Sequence, residues 1–135
     1  LSASYGEMTF AETSTIGDKG DNLPGSADFN ISVGLQYDFT LSHYDSFARI
    51  DYAFISEYYN SVDEGEFGSQ PAGDFGQVNL KTGIVFDQLG VDIFVNNLTN
   101  DDGLTWVDSL NGSLGAPRAN RIRPRTIGLN LTYQF

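Results

Sequence analysis

The chain has 135 residues, and 18 Asp and Glu against 7 Lys and Arg give a formal net charge of −11 at pH 7, which argues against a nucleic-acid partner because phosphate binding needs clustered positive charge. The absence of Cys excludes disulfide frameworks, thiol nucleophiles and Cys-based metal sites, and the single His, His43, leaves no partner for a two-His metal site. At 40% hydrophobic and 13% aromatic residues the chain is too apolar for disorder, its length fits one domain, and no run of about 18 apolar residues makes a transmembrane helix.

No basic-then-apolar leader is visible, and the first residue is Leu1 rather than Met, so the chain reads as an excised piece or a processed product. Helical periodicity is almost absent, whereas two-residue alternation recurs from end to end. A weak first strand covers about 1–10. The clearest strand spans 28–39, where Phe29, Ile31, Val33, Leu35, Tyr37 and Phe39 share one parity and small or polar residues hold the other. From 47 to 58, Ala48, Ile50, Tyr52, Phe54 and Tyr58 oppose Arg49, Asp51 and Glu57. From 75 to 86, Val78, Leu80, Ile84 and Phe86 oppose Gln77, Asn79, Lys81 and Gly83, and Val91, Ile93 and Val95 then oppose Asp92 and Asn96. The chain closes with Ile127, Leu129, Leu131, Tyr133 and Phe135 opposite Thr126, Gly128, Asn130, Thr132 and Gln134.

Connections alternate in length. Residues 40–45 and 87–90 read as tight turns, while 11–27, 60–74 and 99–121 are long and rich in Gly, Asp, Asn and Ser. Short turns at one end and long loops at the other are the rhythm of outer-membrane barrels. Strands of about 10–12 residues exceed the globular mode of roughly 5–6 and match the 9–11 that a tilted strand needs to cross a bilayer. Aromatic residues near strand ends (Phe29, Tyr37, Phe39, Phe47, Tyr58, Tyr59, Phe75, Phe86, Tyr133 and Phe135) fit interfacial girdles. The expected fold is all-β: an antiparallel meander of about six long strands, part of a transmembrane outer-membrane β-barrel. A soluble sheet with one wet face explains the alternation but not the strand length, the loop asymmetry or the aromatic ends.

Three segments resemble the C-terminal end of a TonB-dependent outer-membrane receptor. They are Val91-Asp92-Ile93-Phe94-Val95-Asn96-Asn97-Leu98-Thr99-Asn100-Asp101, the closing run from Pro124-Arg125-Thr126 to Phe135, and Asn22-Leu23-Pro24-Gly25-Ser26 before the 29–39 strand. Arg49-Ile50-Asp51-Tyr52 with Ser56-Glu57-Tyr58-Tyr59 fits the same region. The likeness spans residues 1–135, which would be the C-terminal segment of such a barrel, with the plug domain and earlier strands outside this chain. It implies a barrel of about 22 strands in the outer membrane of a Gram-negative cell. It further implies uptake of a scarce ligand such as an iron–siderophore complex, haem, cobalamin or an oligosaccharide. The implied partners are outer-membrane lipid and lipopolysaccharide, the rest of the barrel and its plug, TonB through the missing N-terminal part, and the outer-membrane assembly machinery. Six strands cannot close a membrane barrel, since about eight is the smallest size. The rival functions are a structural barrel segment that assembles with other chains without transport, and a passive porin-like channel. If the last strand ends in the periplasm, the tight turns are periplasmic and the long loops face outward.

Phe135, with Tyr133 and Leu131 before it, resembles the C-terminal signal read by the assembly machinery, recognised by strand addition. Arg121, Arg123 and Arg125 share the parity of 127–135, and an outward row at the rim would suit lipopolysaccharide phosphates; the alternatives are pairing with the acidic loops and a break of parity at Pro124. Trp106, Tyr58 and Tyr59 lie in or beside the long loops as candidate stacking surfaces for a ligand, with interfacial packing as the commoner role. Arg49, Asp51, Glu57, Lys81 and Asp92 would form a charged wall on the lumen side. The acidic residues Asp18, Asp21, Asp63, Glu64, Glu66, Asp101, Asp102 and Asp108 gather in the loops. They match no EF-hand spacing and read as solvated charge. No catalytic, cofactor or metal residue is expected, and the chain does not read as an enzyme. It lacks a Gly-x-Ser-x-Gly elbow, and Ser42-His43 beside Asp45 lie too close in sequence to form a triad.

Overall fold

A computed structural model describes residues 2–62, 69–108 and 118–135. The described residues are all-β, without a helix. The strands are β1 (Ser2–Tyr5), β2 (Phe29–Leu41), β3 (Tyr44–Ile55), β4 (Tyr58–Tyr59), β5 (Pro71–Ala72), β6 (Phe75–Phe86), β7 (Leu89–Asn96), β8 (Leu104–Asp108), β9 (Arg118–Arg121) and β10 (Thr126–Tyr133). Six of them form one antiparallel sheet in the order β1-β2-β3-β6-β7-β10, a meander in which each strand pairs with its sequential neighbour in the sheet. β1 is only four residues long, so β2, β3, β6, β7 and β10 make the body. The sheet is open, with β1 and β10 at its edges.

Alternation sets the register. Leu35, Ile50, Leu80, Val95 and Ile127 are successive cross-strand partners, a row of aliphatic side chains across five strands. One position along, Gln36, Arg49, Lys81, Phe94 and Gly128 form the corresponding row on the opposite face. A one-residue slip would exchange the two faces, so each such row holds the register of all five strands. At β2–β3 the two turn residues Ser42 and His43 both take left-handed φ, 49° and 82°, the primed geometry whose twist suits a two-residue hairpin. Asp87, at φ 50°, begins the matching turn between β6 and β7.

Several boundaries differ from the sequence expectation. β2, β3 and β6 run 12–13 residues, but β7 and β10 have eight each. The first strand is four residues rather than ten, because 6–10 turn into a loop ladder that pairs Thr9 with Asn22. The long connections also hold structure of their own. β4 pairs with β5, β8 pairs with β9, and Gly73 bridges to Leu104, so the second and third long connections join at one end of the sheet. Glu57 falls outside β3, which ends at Ile55, and so does not belong to the charged wall.

The sheet is a single layer. Ala72 and Val107 are the buried hydrophobic residues among those described, and both lie in the joined connections rather than in the sheet. The accessible surface is 9444 Å², against about 7,000 Å² for a compact globular chain of this mass. Leu35, Ile127 and Leu131 are 67%, 70% and 61% exposed.

Candidate functional site

The two faces of the sheet are chemically opposite. On one, the aliphatic rows are flanked by aromatics at both ends. At the tight-turn end Tyr44 packs on Phe86 with ring centres 4.8 Å apart, Tyr37 stacks on Phe39 at 5.7 Å, and Tyr133 meets Phe135 edge-on at 5.2 Å. At the loop end Phe29 packs against Phe54 at 6.3 Å. Phe29 and Phe39 are ten strand positions apart in β2, or about 34 Å of extended chain.

Phe47 and Phe75 do not join these clusters, contrary to the sequence reading, because their parity puts them on the other face. There Phe47 lies over Gly83, where a Cβ would collide with its ring, and Lys81 Nζ sits 5.5 Å from the centre of that ring. The same face carries two ion pairs: Arg49 with Asp51 at 2.7 Å, and Lys81 with Asp92 at 2.9 Å. Asn130 Nδ2 donates to Asp92 Oδ2 at 3.4 Å. Arg49, Asp51, Lys81 and Asn130, with Asn79, Asn96 and Phe94, line an open cavity of about 460 Å³. Four of the five charges expected on this wall are therefore together, and each cation already has its carboxylate.

The loop end is organised by Asn97, which is fully buried at φ 53°. Its backbone N–H donates to Asn79 Oδ1 at 2.9 Å, and its side-chain amide donates to the carbonyls of Asp101 at 2.8 Å and Arg123 at 3.0 Å. Its side-chain oxygen accepts from Asp101 N at 3.0 Å. Asn100 Oδ1 then accepts from Arg125 N at 3.1 Å. One asparagine thus ties the end of β7, the middle of β6 and the segment before β10. Sequence reasoning gave it no role beyond a family-like motif.

The candidate residues separate into three groups. Leu131 and Tyr133 lie in β10 with Phe135 just beyond it, and Tyr133 donates its hydroxyl to Gln88 Oε1 at 2.7 Å, tethering the chain end to the β6–β7 turn. Arg121, Arg123 and Arg125 do not form one row. Arg121 ends β9 and pairs with Asp102, residues 122–125 lie outside any strand, and Arg125 donates to Leu98 O at 3.3 Å. The parity of β10 cannot be extended back through Pro124, which has no N–H to carry the ladder. Trp106 is 47% exposed in β8, on the ribbon face opposite the buried Val107. Tyr58 and Tyr59 form β4, and the Tyr58 hydroxyl donates to Thr105 O at 2.7 Å beside Trp106. Of the acidic residues, Asp21 Oδ2 accepts from Asp18 N at 2.7 Å and Asp101 Oδ1 from Gly103 N at 2.9 Å, so both shape turns. Asp63, Glu64 and Glu66 lie outside the described residues. Among the described residues no cluster of three or more His, Cys, Asp or Glu is placed to hold a metal ion.

Against known proteins, no family model, no curated protein and no solved structure matches the chain.

Proposed function

We propose that the chain is a wall segment of an outer-membrane β-barrel, the C-terminal part of a TonB-dependent receptor that takes up a scarce ligand. The observation that carries the membrane reading is the uncovered aliphatic face framed by aromatics at both ends, backed by a face of paired charges. An apolar face of this size left to water invites aggregation, whereas lipid is the solvent that suits it. Geometry supports the same reading: about 34 Å of strand tilted by roughly 40° rises about 26 Å, against an apolar band of about 25 Å in such barrels. The edges β1 and β10 call for further strands, because unpaired backbone groups are costly in lipid.

The receptor part of the proposal rests on the sequence likeness of 91–101 and 124–135. Asn97 gives that likeness a physical content, since it anchors the loop between these two segments to the wall. The charged face then lines the lumen, and the joined loops with Trp106, Tyr58 and Tyr59 form part of the outer mouth. Arg121 and Arg123, beside a cavity also lined by Asp101 and Asp102, remain a candidate contact for lipopolysaccharide at the rim. The test is outer-membrane fractionation followed by the intact mass of the native protein in detergent. The proposal expects outer-membrane recovery and a polypeptide several times 14.8 kDa, large enough for a closed barrel and plug. Recovery in the soluble fraction overturns the membrane reading, and a membrane-extracted polypeptide of 14.8 kDa overturns the receptor reading.

A further inference from the structure

The long connections continue the sheet's own hairpins. Outward from Ile55 and Phe75, where the β3–β6 ladder ends, Tyr58 pairs with Ala72 and Tyr59 with Pro71, so β4 and β5 keep the register of β3 and β6 across residues 56–57 and 73–74. Gly73 and Asp74 turn the chain there with left-handed φ of 80° and 49°, and a Cβ at Gly73 would collide with Ser56 O. β8 and β9 are likewise the outer part of the hairpin that β7 and β10 begin, beyond the loop held by Asn97. The β1–β2 hairpin runs on as well. Gly6 N donates to Asp28 O at 3.0 Å, Leu23 N to Met8 O at 2.8 Å and Phe10 N to Asp21 O at 3.0 Å.

These outer pieces are also bonded to one another. From the second connection to the third, Gly73 N donates to Leu104 O at 2.8 Å, the Tyr58 hydroxyl to Thr105 O at 2.7 Å and Asn60 Nδ2 to Val107 O at 2.8 Å. From the first to the second, Gly25 N donates to Tyr59 O at 2.7 Å. Ala72 in β5 and Val107 in β8, the buried hydrophobic residues among those described, lie one on each side of the second join. Lifting one connection alone would break bonds that its neighbour shares, and segments linked in this way open as one cooperative unit.

We infer that the described parts of the three long connections form one plate that continues the wall and moves as a unit. It holds Trp106, Tyr58 and Tyr59 at fixed positions relative to one another, as a preformed surface rather than on three separate lids. A ligand that meets such a surface is spared the cost of ordering loops. The inference goes beyond the uptake reading and is read from exchange rates, so a failure of location or mass would leave it standing. Hydrogen–deuterium exchange of the native protein in detergent, resolved by peptide, tests it. In the wild type, 104–107 should be protected. Gly73→Ala, in the second connection, should speed exchange at 104–107 in the third by about tenfold or more, the scale of one lost hydrogen bond, and leave β10 unchanged. Where that variant does not fold, Tyr58→Phe, which removes only the bond to Thr105 O, should speed exchange at 104–107 in the same direction. A response confined to 56–74 in the folded variant, or wild-type exchange at 104–107 as fast as in an unfolded chain, would overturn the proposal.

Discussion

At the scale of single residues, Asn97 ties the end of β7, the middle of β6 and the segment before β10. Its side chain satisfies two carbonyls and one N–H at the junction of the segment after β7 with the segment before β10. Leaving a buried partner unsatisfied costs about 1–3 kcal/mol each. Asn97→Ala should therefore lower the unfolding midpoint in urea by an amount equivalent to at least one such loss. Asn97→Asp should be worse than Ala, because a carboxylate oxygen would replace the amide donor against the carbonyls of Asp101 and Arg123. Tolerance of Asp at the wild-type midpoint would show that the amide does not hold the loop. The sequence concealed this residue: within Asn96-Asn97-Leu98-Thr99-Asn100-Asp101, a buried Asn looks the same as a solvated one. The signal present was turn chemistry, since Asn tolerates left-handed φ and bonds its own backbone.

At the scale of elements, the row Leu35, Ile50, Leu80, Val95 and Ile127 makes the two faces experimentally separable. On the lipid reading, Leu80→Arg places a guanidinium near the middle of the apolar band and should cost about 2–4 kcal/mol. Tyr44→Arg, at the aromatic end of the same face, should cost only about 0–1 kcal/mol. Gln77→Arg, on the charged face, should be close to neutral. Urea titration of the protein refolded in liposomes measures all three. Equal costs for Leu80→Arg and Tyr44→Arg would remove the depth dependence and with it the membrane. These rows were legible because period-two alternation survives over 12 or 13 residues in β2, β3 and β6. The short pairs were not, because β4 and β5 are two residues each and make sense only through partners more than ten residues away. Leu104-Thr105-Trp106-Val107 did carry strand-forming residues, and its ribbon with β9 was missed because the Gly- and Ser-rich surroundings read as a loop. For the arginines the two alternatives to an outward row are what the structure shows: Arg121 pairs with Asp102, and the parity of β10 stops at Pro124 because residues 122–125 are not in a strand.

At the scale of the whole molecule, sidedness is the property that would link fold to function, and because these 135 residues contain no Cys, a cysteine introduced among them is the labelling site of this segment. The tight turns at Ser42-His43 and Asp87-Gln88 lie at one end of the sheet, and the joined connections that carry β4, β5, β8 and β9 lie at the other. On the proposed barrel reading the short turns lie in the periplasm, and the two ends should meet different compartments. Single cysteines introduced at Ser61 and at Gln88, expressed in the native protein, should respond oppositely to a membrane-impermeant maleimide. Ser61→Cys should label on intact cells. Gln88→Cys should label only after the outer membrane is permeabilised, although Gln88 is exposed in its turn. Labelling of both on intact cells would mean that the sheet does not cross the outer membrane. Labelling of Gln88→Cys alone would invert the barrel, which would place the joined connections with Trp106, Tyr58 and Tyr59 in the periplasm and remove them from the path of an incoming ligand.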